Sequence, residues 1–219
     1  MDKNFPSTEY YKNLDYYKNM HLNGYNLVDG RKRNAKDAYD GKSTLAYAPI
    51  IKKIIKNEKI ENMIDYGCGK GKFYSNGFNL SNKFIPPLRQ YWDIYIKLYD
   101  PCYKKYSEFN KDETFDLTIS IDVLEHIPDT DIEWILDRFF SISKKFIFIN
   151  VACYEAIALL PDGKNAHINV QTPSWWSNKI EKIIKTKKEI KLICICTIKD
   201  DGKIKHIPLE YGCKLNNYL

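Results

Sequence analysis

Asp65 opens the run Asp65-Tyr66-Gly67-Cys68-Gly69-Lys70-Gly71, an acid followed by glycines at alternate positions. Glycines spaced this way let a backbone pass close to a ligand and take up conformations that a side chain forbids. The carboxylate suits a ligand that carries positive charge. A pyrophosphate gains nothing from it, whereas a cofactor with a sulfonium and an ammonium group does. Spacing separates the same two chemistries. Counted from Gly67 and Gly69, the dinucleotide fingerprint G-x-G-x-x-G needs its third glycine where Lys72 stands.

Two further acids stand at the ends of apolar segments. Asp100, followed by Pro101, closes a stretch in which Ile94, Ile96 and Leu98 alternate. A carboxylate at the end of a second strand pairs with a ribose hydroxyl pair in doubly wound folds. Asp122-Val123-Leu124-Glu125-His126-Ile127-Pro128 follows the apolar run from Phe115 to Ile121. Beyond the next apolar run lies Leu160-Pro161-Asp162-Gly163-Lys164-Asn165-Ala166-His167. Loops that leave the carboxyl ends of strands face the substrate in open α/β sheets. Histidine suits proton transfer near neutral pH, so His167, with Asp162 and Asn165, is the candidate for binding and deprotonating a hydroxyl acceptor.

In these residues the chain resembles the class I S-adenosylmethionine-dependent methyltransferases of the type-11-like subgroup. Asp65 to Gly71 is similar to their first motif, hE/DxGxGxG. Asp122 to Ile127 is similar to the D/E-V-L-E-H-I/V segment of the subgroup that includes the quinone-biosynthesis enzymes. The block ending in His167, with Thr172-Pro173-Ser174-Trp175-Trp176, resembles a segment of uncharacterised bacterial and phage-encoded methyltransferases. The resemblance implies a Rossmann-like fold, S-adenosyl-L-methionine as cofactor and S-adenosyl-L-homocysteine as product. It implies Asp65, Gly67, Cys68, Gly69, Gly71, Asp100, Pro101, Asp122, Val123 and His126 around the cofactor, with the end of the fourth strand beside the transferable methyl. The residues after that strand also exclude the amino-methylating DNA enzymes, which carry D/N-P-P-Y/F/W.

Methyl transfer from a sulfonium is an in-line displacement. Orientation supplies on the order of 7–11 kcal/mol of such a barrier, and a base adds about 10²–10⁴-fold where the acceptor must lose a proton. His167 with Asp162 is the expected catalytic pair. Asn165, Trp176, Tyr17 and His21 are the expected acceptor contacts, and His126 belongs to the cofactor shell or the scaffold. No metal site is expected; Glu125, His126 and His167 form the alternative set. The acceptor is expected to be an oxygen or nitrogen of a small molecule or sugar.

The elements that position these residues follow from hydrophobic periodicity. Residues 1–45, rich in tyrosine and asparagine, are expected to form a helical lid over the site. Residues 46–219 are expected to form the catalytic domain. Thr44 to Lys56 reads as a helix. Strands follow at Asn62 to Tyr66, Asp93 to Tyr99, Phe115 to Ile121 and Lys145 to Val151. A short helix whose N-terminus faces the ligand is expected after Gly69, running into Tyr74 and stopped early by Asn76-Gly77, with an irregular stretch over 76–92 that covers the site. Asp131 to Ser143 carries an apolar helical stripe. Thr172-Pro173 opens a helix running to about Lys187. Ile190 to Ile198 and Ile204 to Tyr211, joined at Asp200-Asp201-Gly202, read as an antiparallel hairpin, with Pro208 near a strand end or a bulge. The pattern is α/β, a doubly wound and mostly parallel sheet. Only Pro101 to Thr114 separates Asp100 from the next strand. The third strand is therefore short or missing, and the residue that reads adenine is unassigned.

Composition narrows the class. The chain has 219 residues and a formal charge of +6, spread along its length and not gathered into a patch. That argues against nucleic acid as a partner, although RNA stays open. No apolar run approaches a membrane span, and the N-terminus lacks an apolar signal region, so a cytoplasmic monomer or homodimer is expected. The cysteines form no C-x-x-C pair. Cys194 and Cys196 are expected to be reduced core residues.

Overall fold

The computed structural model describes residues 5–80, 83–110, 112–185 and 189–219. Helix α1 (Thr8–Asn23) starts at Ser7, whose hydroxyl accepts from Tyr10 N, and stops at Gly24 in a positive-φ conformation. A short ribbon, β1 (Tyr25–Asn26) with β2 (Lys32–Arg33), leads through a 3-10 segment at Lys42–Tyr47 into α2 (Ala48–Asn57), which carries Pro49 in its first turn. Strand β3 (Asn62–Tyr66) ends at the glycine loop. A small hairpin, β4 (Phe78–Leu80) with β5 (Lys83–Ile85), and the short α3 (Leu88–Trp92) precede β6 (Tyr95–Tyr99). Then come β7 (Phe115–Ile121), α4 (Ile132–Ile142), β8 (Ser143–Ala152), α5 (Pro173–Ile184), β9 (Lys191–Asp200) and β10 (Lys203–Tyr211).

Six strands form one sheet in the order β10-β9-β8-β7-β3-β6. Every pairing is parallel except that of β10 with β9. Alternate side chains of each strand feed two cores. Phe146, Phe148, Ile193 and Ile195 join α2 and α3 on one face. Ile147, Ile149, Cys194 and Cys196 join α4 and α5 on the other. Burial on both faces is why β7 and β8 read as unbroken apolar runs. The chain steps outward from β3 to β6 and then returns to the far side of β3 as β7. The order reverses between β3 and β7, and a crevice opens there at the strands' carboxyl ends.

Three expectations are corrected. The loop after Gly71 makes only a 3-10 turn, Lys72–Tyr74. Its successor residues leave for the β4–β5 hairpin, so the loop is not followed by an α-helix whose dipole could face the crevice. Among the described residues of 76–92, Phe78, Leu88 and Trp92 are packed into the core and do not cover the site. Pro208 lies mid-strand, opposite Ile195. It is tolerated because β10 is a sheet edge, where a missing N–H costs no ladder bond.

The other helices and strands keep the expected order, with ends shifted by a few residues. Among the described residues no strand lies between β6 and β7, so the third strand is missing. The hairpin turns through Asp201 and Gly202, both at positive φ, the two-residue turn whose twist fits flanking strands. The expected end of α5 near Lys187 falls outside the described residues. All six cysteines are free, with Cys194 and Cys196 buried. No helix among the described residues is long and apolar enough to cross a membrane.

Candidate active site

The crevice between β3 and β7 is roofed by the N-terminal segment. Tyr10, Asn13, Tyr17 and His21 recur on one face of α1 and line it. Ser7 fixes the start of that helix: its N–H and hydroxyl both donate to Asp131, at 2.8 and 2.5 Å, just before α4. The stretch after α1 is bonded to the glycine loop itself. Lys70 N donates to Tyr39 O at 2.7 Å and Lys72 N to Asp40 O at 3.0 Å.

Those two bonds complete a pattern. Gly67 N and Cys68 N both donate to Tyr99 O, Gly69 N to Asp100 Oδ2 and Gly71 N to Cys68 O. Each N–H from Gly67 to Lys72 thus has an acceptor within the protein. An anion-binding loop works by presenting free N–H groups, and this loop presents none. The crevice lining holds the carboxylates of Asp100 and Asp122 but neither lysine nor arginine. It is therefore an electronegative pocket in a chain of net positive charge.

Asp100 bridges the loop and the following turn: Oδ2 accepts from Gly69 N and Oδ1 from Cys102 N, both at 2.8 Å. Burial pushes its carboxyl up, against the pull of the Cys102, Gly69 and Tyr103 amides. A carboxylate accepts about four hydrogen bonds, so capacity remains on the crevice side. Pro101 and Cys102 also line the crevice. His21 sits 3.9 Å from Asp100, with Tyr103 stacked at 5.5 Å and Tyr39 at 4.8 Å. Burial, then the charge of Lys70, lowers its pKa to about 4, so it is neutral at physiological pH. His21 Nδ1 and Asn13 Nδ2 are buried without partners. Buried polar atoms are normally satisfied, so these two call for a ligand.

At the other end, Asp122 adopts φ +61°, a left-handed conformation uncommon outside glycine and held only by its surroundings. Its Oδ2 accepts from the Ser43 hydroxyl at 3.0 Å. Glu125 stands behind it, fully buried. Burial, then the charge of Asp122, drives the Glu125 carboxyl well above the usual range, so the pair carries one negative charge. Val123 packs on Gly67, where a Cβ would lie 2.4 Å from its Cγ2.

His126 is a strut. Its Nδ1 lies 2.9 Å from both Ala166 O and the Tyr17 hydroxyl, and that hydroxyl donates to Ala166 O at 2.7 Å. Burial, then the neighbouring His167, lowers the His126 pKa to about 4. This ties α1, the 124–126 turn and the 160–167 loop together. His167 lies beside it, with ring centroids 4.9 Å apart. Its Nδ1 is 2.6 Å from Tyr154 O. A carbonyl only accepts, so Nδ1 carries the proton and Nε2 keeps a free lone pair.

Five expected site residues are placed otherwise than the sequence suggested. Asp65 turns away from the crevice and accepts from the Tyr74 hydroxyl at 2.6 Å. Gly71 faces Leu98 and Tyr106. Asp162 is not brought to His167; it accepts from Lys164 N and the Tyr16 hydroxyl on the outer side of its turn. Asn165 staples its own loop, exchanging bonds with Ala156 and accepting from His167 N. Trp176 is wholly buried between α5 and the sheet, so it packs the core and touches no acceptor. Sequence reasoning in turn missed Tyr10, Asn13, Tyr39 and Cys102, all in the lining. The helical spacing of Tyr10, Asn13, Tyr17 and His21 was the available signal.

Asp65 has a measurable consequence. Burial pushes its pKa from 3.8 to about 7, despite the Tyr74 hydrogen bond. The unfolded chain therefore ionises it first. Its effect is most favourable below the unfolded pKa and is lost as pH rises through about 7, by up to about 1.4 kcal/mol per pH unit. Asp65→Asn keeps an acceptor for Tyr74 and should flatten this decline. Urea unfolding across this range measures it, and identical profiles for both proteins would refute the assignment.

No curated protein matches the chain. Strands β3, β6, β7 and β8, the reversal point and the glycine loop lie within residues 39–186, which match a family model described as a methyltransferase domain, and the chain belongs to that family of methyl-transferring proteins.

Proposed function

We propose that the protein transfers a methyl group from S-adenosyl-L-methionine to an oxygen or nitrogen of a small molecule or sugar. One observation carries this reading: the glycine loop has no free N–H from Gly67 to Lys72, and it borders a pocket with carboxylates but no lysine or arginine. That combination suits a cationic cofactor and opposes a pyrophosphate.

When bound, S-adenosylmethionine supplies a methyl group already activated on a sulfonium. Asp100 accepts the ribose hydroxyls with the capacity left by its backbone donors. Asn13 and His21 satisfy their unpartnered atoms on the adenosine half. Asp122 offers negative charge at the methionine end. The tyrosines of α1 and Tyr39 exclude water and hold the acceptor near the methyl, so alignment carries most of the rate. His167 receives a proton at Nε2 where the acceptor is a hydroxyl, oriented by the Tyr154 carbonyl in place of Asp162. The absence of basic side chains from the lining favours a small acceptor over RNA.

Calorimetry with S-adenosylmethionine, then turnover to S-adenosylhomocysteine against a panel of hydroxyl and amine acceptors, tests the proposal. Saturable binding and acceptor-dependent turnover are expected. Failure of the cofactor to bind the folded protein would remove the reading.

A further inference from the structure

Asp122, Glu125 and His167 come from three places: the residue after β7, the 3-10 turn that follows, and the loop beyond β8. One ligand atom from each lies within 4.8 Å of the other two. Glu125 is the informative member. It is 0% exposed, its Oε1 accepts from Ala152 N at 2.8 Å, and its buried Oε2 receives no hydrogen bond. His167 faces the same point with a bare Nε2, because Nδ1 is committed to the Tyr154 carbonyl. Asp122 accepts from Ser43 at Oδ2 and its carboxylate pairs with the Glu125 carboxyl. Three ligand atoms converge, and the proton that Glu125 shares with Asp122 is one that a divalent cation would displace. That is the arrangement of a coordination set, and the carbonyl behind the imidazole is the usual outer partner of a ligating histidine.

We infer that this cluster binds a divalent cation through Asp122, Glu125 and His167. Two oxygens and one imidazole nitrogen, without sulfur, suit Mn²⁺ or Zn²⁺. Open coordination positions would take an oxygen of the methyl acceptor, which selects hydroxyl acceptors over amines. This last step rests on the methyl-transfer reading above. In the loaded site His167 is a ligand, and the cation does the work of a base by lowering the pKa of the bound hydroxyl. The acceptor oxygen forms its bond to the methyl carbon as the carbon–sulfur bond breaks. That bond's electron pair goes to sulfur, and the acceptor's proton goes to water.

The test is titration of the metal-stripped full-length chain with Mn²⁺, followed by the electron paramagnetic resonance signal of the free ion, and in parallel with Zn²⁺ by calorimetry. S-adenosylmethionine affinity is measured on the same preparations. One ion per chain is expected. Changes to outer partners alone cost about 10–100-fold in metal affinity, so Glu125→Gln and His167→Gln should each cost at least as much while cofactor affinity persists. Glu125→Gln keeps the acceptor for Ala152, and thermal melts confirm that it folds; His167→Gln repeats the test at a less buried position. Absence of binding by either ion, or binding unchanged in both variants, would overturn the cation site and leave the methyl-transfer reading standing. Metal binding without cofactor binding would overturn the methyl-transfer reading instead.

Discussion

Asp100→Asn should weaken S-adenosylmethionine binding by at least about tenfold, or ~1.4 kcal/mol, and destabilise the fold by about 1–3 kcal/mol. Both effects have one origin. The carboxylate holds the Gly69 amide with one oxygen and the Cys102 amide with the other. Asparagine brings a single acceptor oxygen, and its amide hydrogens would oppose one of those N–H groups. A buried donor would then be left unpaired, and the loop would lose its tie to the end of β6. The acceptor capacity facing the ribose disappears at the same time. Calorimetry below the melting temperature of both proteins separates the two losses. An unchanged affinity would mean that Asp100 is purely a scaffold residue.

The second large effect is expected at Gly69. Its φ is +58°, and an added Cβ would lie 2.2 Å from Tyr39 O and 3.1 Å from Tyr39 C. Those are backbone atoms, so no side-chain rotation relieves the contact. Gly69→Ala therefore adds a left-handed penalty of about 1–2 kcal/mol to an overpacking cost of about 1–3 kcal/mol. The cheapest relief is to push the 39–40 segment outward, which breaks the bonds from Lys70 and Lys72 and opens the roof. A lowered denaturation midpoint should accompany faster amide exchange at Lys70 and Lys72. Gly163→Ala is the control, since a Cβ there meets nothing within 4 Å despite its positive φ. Equal losses in the two variants would show that backbone conformation alone matters.

These two positions also show what could be read before the structure. The strands were legible because sheet burial on both faces leaves uninterrupted apolar runs: Phe115–Ile121 matched to the residue, and Lys145 to Val151 extended only to Ser143–Ala152. The glycines were legible as a loop, but the reason for two of them was not. Gly67 and Gly69 make room for Val123 and Tyr39, contacts between segments far apart in sequence. Asp65 misled because a strand-end acid reads alike whether it faces the crevice or a buried tyrosine nine positions on. The early stop at Asn76-Gly77 was legible after the loop, but the few residues before it make a 3-10 turn at Lys72–Tyr74 and no α-helix. Asp162 and His167 share a short turn, yet the turn directs one outward and the other toward Asp122. Sequence proximity carries no information about that.

The fully committed amides of the glycine loop bear on selectivity inside a cell. ATP and the nicotinamide dinucleotides share the adenosine half of the proposed cofactor and are abundant competitors. Their phosphates would find no spare backbone hydrogen in the loop and would meet the charge of Asp122, so the protein can discriminate against them by withholding what they need, without any group built to reject them.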